Sequence, residues 1–313
     1  MEIIGHQKIW QFLKKSVENQ SLSHAYLFSG EEHLGKKNLA LEFIKLINCK
    51  KKPFADKACQ ECISCKAFLK NWHPDLILIS NERDEPIQIS QIRKIQYFLS
   101  ETSFLGSYKS VIIDQAERMT KDAQSCLLKT LEEPKGKTLL ILITSFPNLI
   151  MKTITSRCQK ICFFSVPSQT LRNFLEDKKL TSKEKEKLIF SFRGKPGRLI
   201  NFLLSPEKLE KENQILKEIL NLSKRDLYSR FQYIKSLENE NLTNEIIKIL
   251  MEYFRGLLLG QFNKSLQNFQ IFKESYSLSK LKEILEFLNE VYFLISFTNI
   301  NKKLALEMLM MKL

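Results

Sequence analysis

Five short, almost uninterrupted apolar runs punctuate the first 166 residues: HAYLFSG (24–30), DLILIS (75–80), SVIID (110–114), LLILITS (139–145) and KICFFSV (160–166). Each is rich in Ile, Leu, Val or Phe and is bounded by polar or glycine positions. A strand with one wet face alternates, whereas a continuous apolar run suits a strand covered on both faces. Between the runs the apolar spacing changes to the helical period. From Ser90 to Ser100, the residues Ile92, Ile95, Phe98 and Leu99 fall on one stripe. From Lys121 to Glu133, Ala123, Cys126, Leu127, Thr130 and Leu131 share a face, and Pro134 is the stop. Strand–helix alternation of this kind predicts an α/β domain over 1–166 with a parallel sheet and right-handed crossovers.

After Pro167 the strand pattern ends. Residues 167–205 predict two or three short helices, a small helical lid, around a GKPGR turn at 194–198. From Pro206 to Leu313 the period is helical throughout, as in EIIKILMEYFRGLLLGQF (245–262), with turn signals near Asn239–Asn241 and Asn299–Asn301. The expected plan is therefore an α/β domain, a lid and an all-α carboxy-terminal domain over 206–313.

Hydrophobic residues make up 43% and charged residues 27% of the 313, which fits a packed globular protein. Runs such as LLILI (139–143) are far too short to span a bilayer. The segment MEIIGHQKIW lacks the basic and apolar regions of a secretory leader, so a cytoplasmic protein without membrane contact is expected. The net charge of +14 suits an approach to nucleic acid or to an acidic partner. It suits a lysine-rich solvated surface equally well, because the lysines are scattered along helices.

Candidate chemistry begins where the first strand ends, in SGEEHLGKK (29–37). Gly30, Gly35 and Lys36 have the G-x-x-x-x-G-K spacing of a P-loop, in which backbone N–H groups and a helix start cradle phosphates while the lysine reaches their oxygens. The next position should be Ser or Thr, whose hydroxyl ligates magnesium. Here it is Lys37, whose ammonium has no lone pair to give. Glu31 and Glu32 also stand inside the loop. In VIIDQAERM (111–119) Asp114 takes the place of the metal-side aspartate, but the following water-activating glutamate is replaced by Gln115. Glu117 would need unusual geometry to substitute. Weak or absent ATP binding and no turnover are expected.

Cys49, Cys59, Cys62 and Cys65 are spaced C-x9-C-x2-C-x2-C. Four thiolates with C-x2-C knuckles point to a closed structural zinc module at 49–65. Reduced free thiols and an iron–sulfur cluster are the alternatives. Cys126, Cys158 and Cys162 fall on helix or strand patterns as small apolar residues. Arg157, in TITSRCQ just before the fifth run, is placed either to reach a phosphate on another subunit or to form an ordinary surface ion pair. Thr144 ends the fourth run, where it can sense a phosphate or cap the next loop. Arg198 lies in the GKPGR turn, within reach of nucleotide or as a helix cap. His24 and His73 read as structural.

Cysteines after the P-loop helix, then HPD, DQAERM, LLKTLEEP, TITSRCQ and GKPGR, together resemble the clamp-loader subunits of bacterial DNA polymerase III, along nearly the whole chain. LLKTLEEP and SRCQ carry most of that resemblance. Lys37 and Gln115 align the chain with the non-hydrolysing side of the group rather than with its ATP-hydrolysing gamma/tau subunit. The resemblance implies an AAA+ domain, a lid and a helical collar that joins gamma/tau and delta subunits in a hetero-pentamer. That assembly opens a sliding clamp and loads it on primer–template DNA. It also implies zinc at the four cysteines and an Arg157 that acts in trans on ATP held by a neighbour. Asp114 and Arg198 take the Walker B and lid-arginine positions. An active gamma/tau-like ATPase and a stand-alone zinc-containing DNA-binding protein are the competing readings.

Overall fold

The computed structural model describes residues 3–51, 57–70, 72–80, 85–178, 180–192, 194–222, 225–236, 240–262, 276–298 and 300–312. The turn signals at Asn239 and Asn299, and residues 52–56 of the cysteine segment, lie outside them. Two compact units divide at 200/201.

In the first unit, α1 (Gln7–Glu18), β1 (Ala25–Ser29), α2 (Lys36–Ile47), α3 (Ile63–Leu69), β2 (Leu76–Ile79), α4 (Ile89–Ser100), β3 (Lys109–Ile113), α5 (Lys121–Glu132), β4 (Thr138–Thr144), α6 (Lys152–Thr155) and β5 (Gln159–Cys162) follow in order. Among the described residues the sheet has five strands in the order β2-β3-β4-β1-β5, every pair parallel. Register sets Leu27 against Leu142 and Val111 against Leu140.

The continuous apolar runs have the expected cause. Along β1, Ala25 and Leu27 join one buried layer with Ile92, Ile95 and Leu99 of α4 and Leu127 and Leu131 of α5. Tyr26 and Phe28 join the opposite layer with Leu13 of α1 and Phe43 and Ile44 of α2. Both faces are covered, so neither tolerates alternation with polar residues. The second and fifth runs, at the two edges of the sheet, depart from this reading: no residue of β2 is buried, and Leu78 is 37% exposed. β5 is an edge strand that stops at Cys162, leaving Phe164 75% exposed and Cys162 itself exposed. An edge strand has one neighbour; Phe163 still donates its N–H to the Ser29 carbonyl at 2.7 Å and is buried, and only Phe164 turns to solvent. Cys158 is buried as expected, and burial pushes its thiol up to about 12.

Three helices follow: α7 (Ser168–Glu176), α8 (Ser182–Phe192) and α9 (Pro196–Leu204). In GKPGR only Gly194 and Lys195 precede the helix, because Pro196 is its first residue, where a missing N–H costs nothing. The second unit contains α10 (Pro206–Leu222), α11 (Leu227–Ser236), α12 (Glu240–Phe262), α13 (Leu278–Phe297) and α14 (Lys302–Lys312). Its core includes Ile219, Ile247, Leu250, Phe254, Leu281, Leu288 and Leu309. Arg230 donates from Nη1 to the Met310 carbonyl at 2.6 Å, tying α11 to α14. No described helix is long and apolar enough to cross a membrane.

Candidate phosphate-loop site and cysteine cluster

The strand order brings the carboxy-terminal ends of β1, β3 and β4 side by side, the usual place for a ligand in an open α/β sheet. Gly30 leaves β1 with φ 147°, and its N–H donates to the Thr144 carbonyl of β4 at 3.2 Å. A Cβ at this position would lie 2.5 Å from the Phe163 carbonyl oxygen, so only glycine fits. Gly35 turns the chain into α2 with φ 87°.

Each cation of the loop already has an anionic or carbonyl partner. Lys36 is buried, and its Nζ donates back to the carbonyl oxygens of Gly30 at 2.5 Å and Glu31 at 2.6 Å. Burial lowers its ammonium to about 8, against the pull of Glu117, Glu32, Asp114 and Glu31. Lys37 places its Nζ 3.5 Å from Oδ2 of Asp114. A fixed positive charge thus stands beside the carboxylate that the motif reserves for a metal. Glu31, in turn, pairs with Lys195 at 3.3 Å.

The loop is also bonded along its backbone. The Leu34 carbonyl lies 2.9 Å from Nε2 of His6, and burial lowers the pKa of that imidazole. The His33 carbonyl accepts from the Gly197 N–H at 2.8 Å, in the first turn of α9. A cavity beside these bonds, lined among others by Ile4, His6, Leu34 and Ile200, has a volume of about 20 Å³, little more than one water needs.

Beyond β3, Gln115 sits in the left-handed region at φ 54° and donates its N–H to Oδ1 of Asp114 at 3.1 Å. Sequence reasoning undervalued Glu117. A one-turn 3₁₀ segment, Ala116–Arg118, folds it inward, where it is buried and accepts from the Ser145 N–H at 3.1 Å. The structure thereby joins Gly30, Gly35, Lys36, Asp114 and Thr144, with Glu117 added. Thr144 Oγ1 accepts from the Phe146 N–H at 3.0 Å, which caps the next loop. Arg198, half-buried in α9, has its N–H bonded to the Lys195 carbonyl. The contacts that Lys195 and Gly197 make with the loop left no sequence signal beyond the GKPGR turn itself.

Arg157 stands apart from this cluster, exposed between α6 and β5. Its Nη2 is 2.8 Å from Oε1 of Glu132, and its Nη1 donates to the Thr153 carbonyl at 3.0 Å.

The four cysteine Sγ atoms of Cys49, Cys59, Cys62 and Cys65 lie within 4.8 Å of one another and could hold a metal ion. The Cys59 N–H points at the Cys49 sulfur, Cys62 N–H at Cys59, and Cys65 N–H at Cys62, at 3.4–3.5 Å. The Cys62 amide lowers the Cys59 thiol to about 6, while burial raises Cys65. Sulfur-directed amides in this arrangement suit thiolate ligands. The donor set fits a tetrahedral ion, and Cys62 also caps α3.

His73 and Asp75 fasten this cluster to the sheet. His73 stacks on Phe68 and meets Ser64 Oγ at 2.9 Å. Asp75 is fully buried and accepts the N–H groups of Phe104, Leu105 and Gly106, each at 2.7 Å. His73 is structural, as expected, and so is His24, whose Nε2 lies 3.1 Å from the Leu131 carbonyl.

Comparison with known proteins adds a family to this geometry. A family model described as DNA polymerase III, delta subunit, matches residues 5–167. The DNA polymerase III subunit delta' of Pseudomonas aeruginosa is 37% identical over 158 residues, 50% of this chain and 47% of that protein. Subunit tau of Bacillus subtilis is 35% identical over 170 residues, 54% of this chain and 30% of that protein. The chain thus spans about half the length of the first relative and under a third of the second. A solved structure of a DNA polymerase III gamma subunit-related protein from Thermotoga maritima has a TM-score of 0.50 at 22% identity, covering 96% of this chain and 97% of that one. That likeness concerns the fold alone.

Proposed function

Because the chain belongs to the DNA polymerase III delta-subunit family, we propose that it is a delta'-type clamp-loader subunit that does not hydrolyse ATP itself and contributes Arg157 to a neighbour's site. Identity does not separate the two subunit types, since delta' and tau relatives match at 37% and 35%. The chemistry of the loop favours the delta' type. The observation that carries the reading is Lys37 held 3.5 Å from Asp114. A resident ammonium beside that carboxylate repels a divalent ion and leaves no hydroxyl to ligate it. Gln115 cannot accept a proton from water at neutral pH. Lys36, Lys195, His6 and Gly197 also bond the loop internally.

In this reading the AAA+ domain (1–166), the lid (167–205) and the collar (206–313) act together as one member of a hetero-pentamer with gamma/tau and delta subunits, in the cytoplasm. The assembly would load a sliding clamp on primer–template DNA. Leu304, Met308 and Met311, spaced i, i+4 and i+7 on α14, are each more than half exposed, and such an apolar stripe suits a collar contact. Zinc would be held by Cys49, Cys59, Cys62 and Cys65, where it supplies a structural crosslink. Arg157 is exposed and carries planar donors suited to phosphate oxygens.

The competing reading, an active gamma/tau-like ATPase, draws on the intact Gly30, Gly35, Lys36 and Asp114 and on the buried Glu117. One experiment addresses Arg157 directly. Arg157→Ala should join gamma/tau-type and delta-type subunits normally, yet lower ATP turnover at the adjoining site by about 10³-fold. Unchanged turnover would remove the trans-acting role.

A further inference from the structure

The LLKTLEEP segment carries much of the family resemblance, yet the proposed function leaves its acidic end without a task. Structurally that end is tied to Arg157. Glu132 is the last residue of α5, and its Oε1 receives Nη2 of Arg157 at 2.8 Å. On the other side of the guanidinium, Nη1 donates to the Thr153 carbonyl at 3.0 Å and approaches Ser156 Oγ at 3.5 Å. Two elements thus grip one cation. They are themselves fixed to each other by Gln124 of α5, which is buried. Its Nε2 donates to the Leu149 carbonyl at 3.3 Å, and its Oε1 accepts from the Met151 N–H at 2.8 Å, just ahead of α6. A long side chain that would otherwise sample many rotamers is held at both Nη atoms, on a backbone that cannot slide against α5.

We propose that Glu132 is a positioning residue for Arg157, orienting the guanidinium so that its free donors meet a phosphate on an adjoining subunit. The inference rests on the trans-acting reading of Arg157. Both side chains remain partly exposed, 38% for Arg157 and 50% for Glu132, so the pair is held in place yet open to an incoming anion. An exposed pair of this kind adds little stability. Its worth lies in geometry: a misplacement of about 1 Å in a reacting group can cost around 100-fold in rate.

Two readouts test the proposal and separate it from its premise. The first uses the isolated chain. The guanidinium resonances of Arg157, assigned by their loss in Arg157→Ala, should move toward those of a free arginine in Glu132→Ala. Unmoved resonances overturn the pairing. The second uses the chain assembled with gamma/tau-type and delta-type subunits. Glu132→Ala should lower kcat for ATP about tenfold, with KM changed less than about twofold. Glu132→Gln, which keeps an acceptor oxygen, should restore most of the rate. The double variant Glu132→Ala/Arg157→Ala should match Arg157→Ala alone, because a residue acting through another adds nothing once that other is gone. If Arg157→Ala slows the assembly while Glu132→Ala does not, or if the two losses multiply, the positioning role is wrong. If Arg157→Ala itself leaves turnover unchanged, the trans-acting reading fails. The role of Glu132 then falls with it, even where the resonances show the pair.

Discussion

At the scale of single residues, Lys37 and Asp75 show how one side chain can decide what a site or a loop does. Lys37→Thr removes the cation beside Asp114 and supplies a metal-ligating hydroxyl, with Gln115 left in place. ATP binding measured by calorimetry should then become stronger with magnesium than with a chelator, while turnover stays absent. A variant equally indifferent to magnesium would show that Lys37 is not the obstacle. Asp75 holds three amides in a fully buried position. Asp75→Ala should cost about 2–3 kcal/mol in denaturant unfolding, since three partly buried N–H groups lose a charged acceptor. Burial alone would raise the Asp75 pKa, but those amides and Lys109 outweigh it and hold the carboxyl below its usual value. Its stabilisation is therefore present above an unfolded pKa near 3.9 and is lost as the pH falls through the lower folded value. Comparing parent and Asp75→Asn from pH 5 downward checks the sign: the gap should narrow with acid. Lys37 and Gln115 were legible from spacing alone. Glu117 was not, because one 3₁₀ turn redirects it inward, and such a turn leaves no periodic trace.

Among the elements, those covered on both sides were the easiest to read. β1, β3 and β4 each stand within about one residue of their apolar runs, because two packed layers require apolar side chains at every position. The edge strand β5 was overread at Phe164 and Ser165, which are exposed, although the Phe163 N–H still donates to the Ser29 carbonyl and both Phe163 and Val166 are buried. The cysteine cluster was legible as a ligand set from its spacing. Its attachment through Ser64, His73 and Asp75 was not, since hydrogen bonds between distant residues have no sequence period. Zinc removal follows from that attachment. A chelator, or Cys65→Ser, should abolish stoichiometric zinc and raise amide exchange across 57–70. Protection in β1, β3 and β4 should persist, because their cores contain none of the four cysteines. Exchange unchanged in α3 after metal loss would contradict a structural ion.

For the molecule as a whole, the P-loop and the exposed Arg157 form two separate clusters of side chains. The chain's own loop is bonded inward through Lys36, Lys37, Glu31 and the first turn of α9. Arg157 is exposed between α6 and β5, where it pairs with Glu132. In the function proposed above, the fold retains the P-loop as scaffold while Arg157 acts on a neighbour, which would let family likeness and the two replaced residues coexist in one chain. Steady-state hydrolysis of magnesium-ATP by the purified chain alone tests this most directly, with Lys36→Ala measured beside it. The account predicts background rates for both proteins, indistinguishable from each other. Turnover in the parent chain that disappears in Lys36→Ala would contradict it.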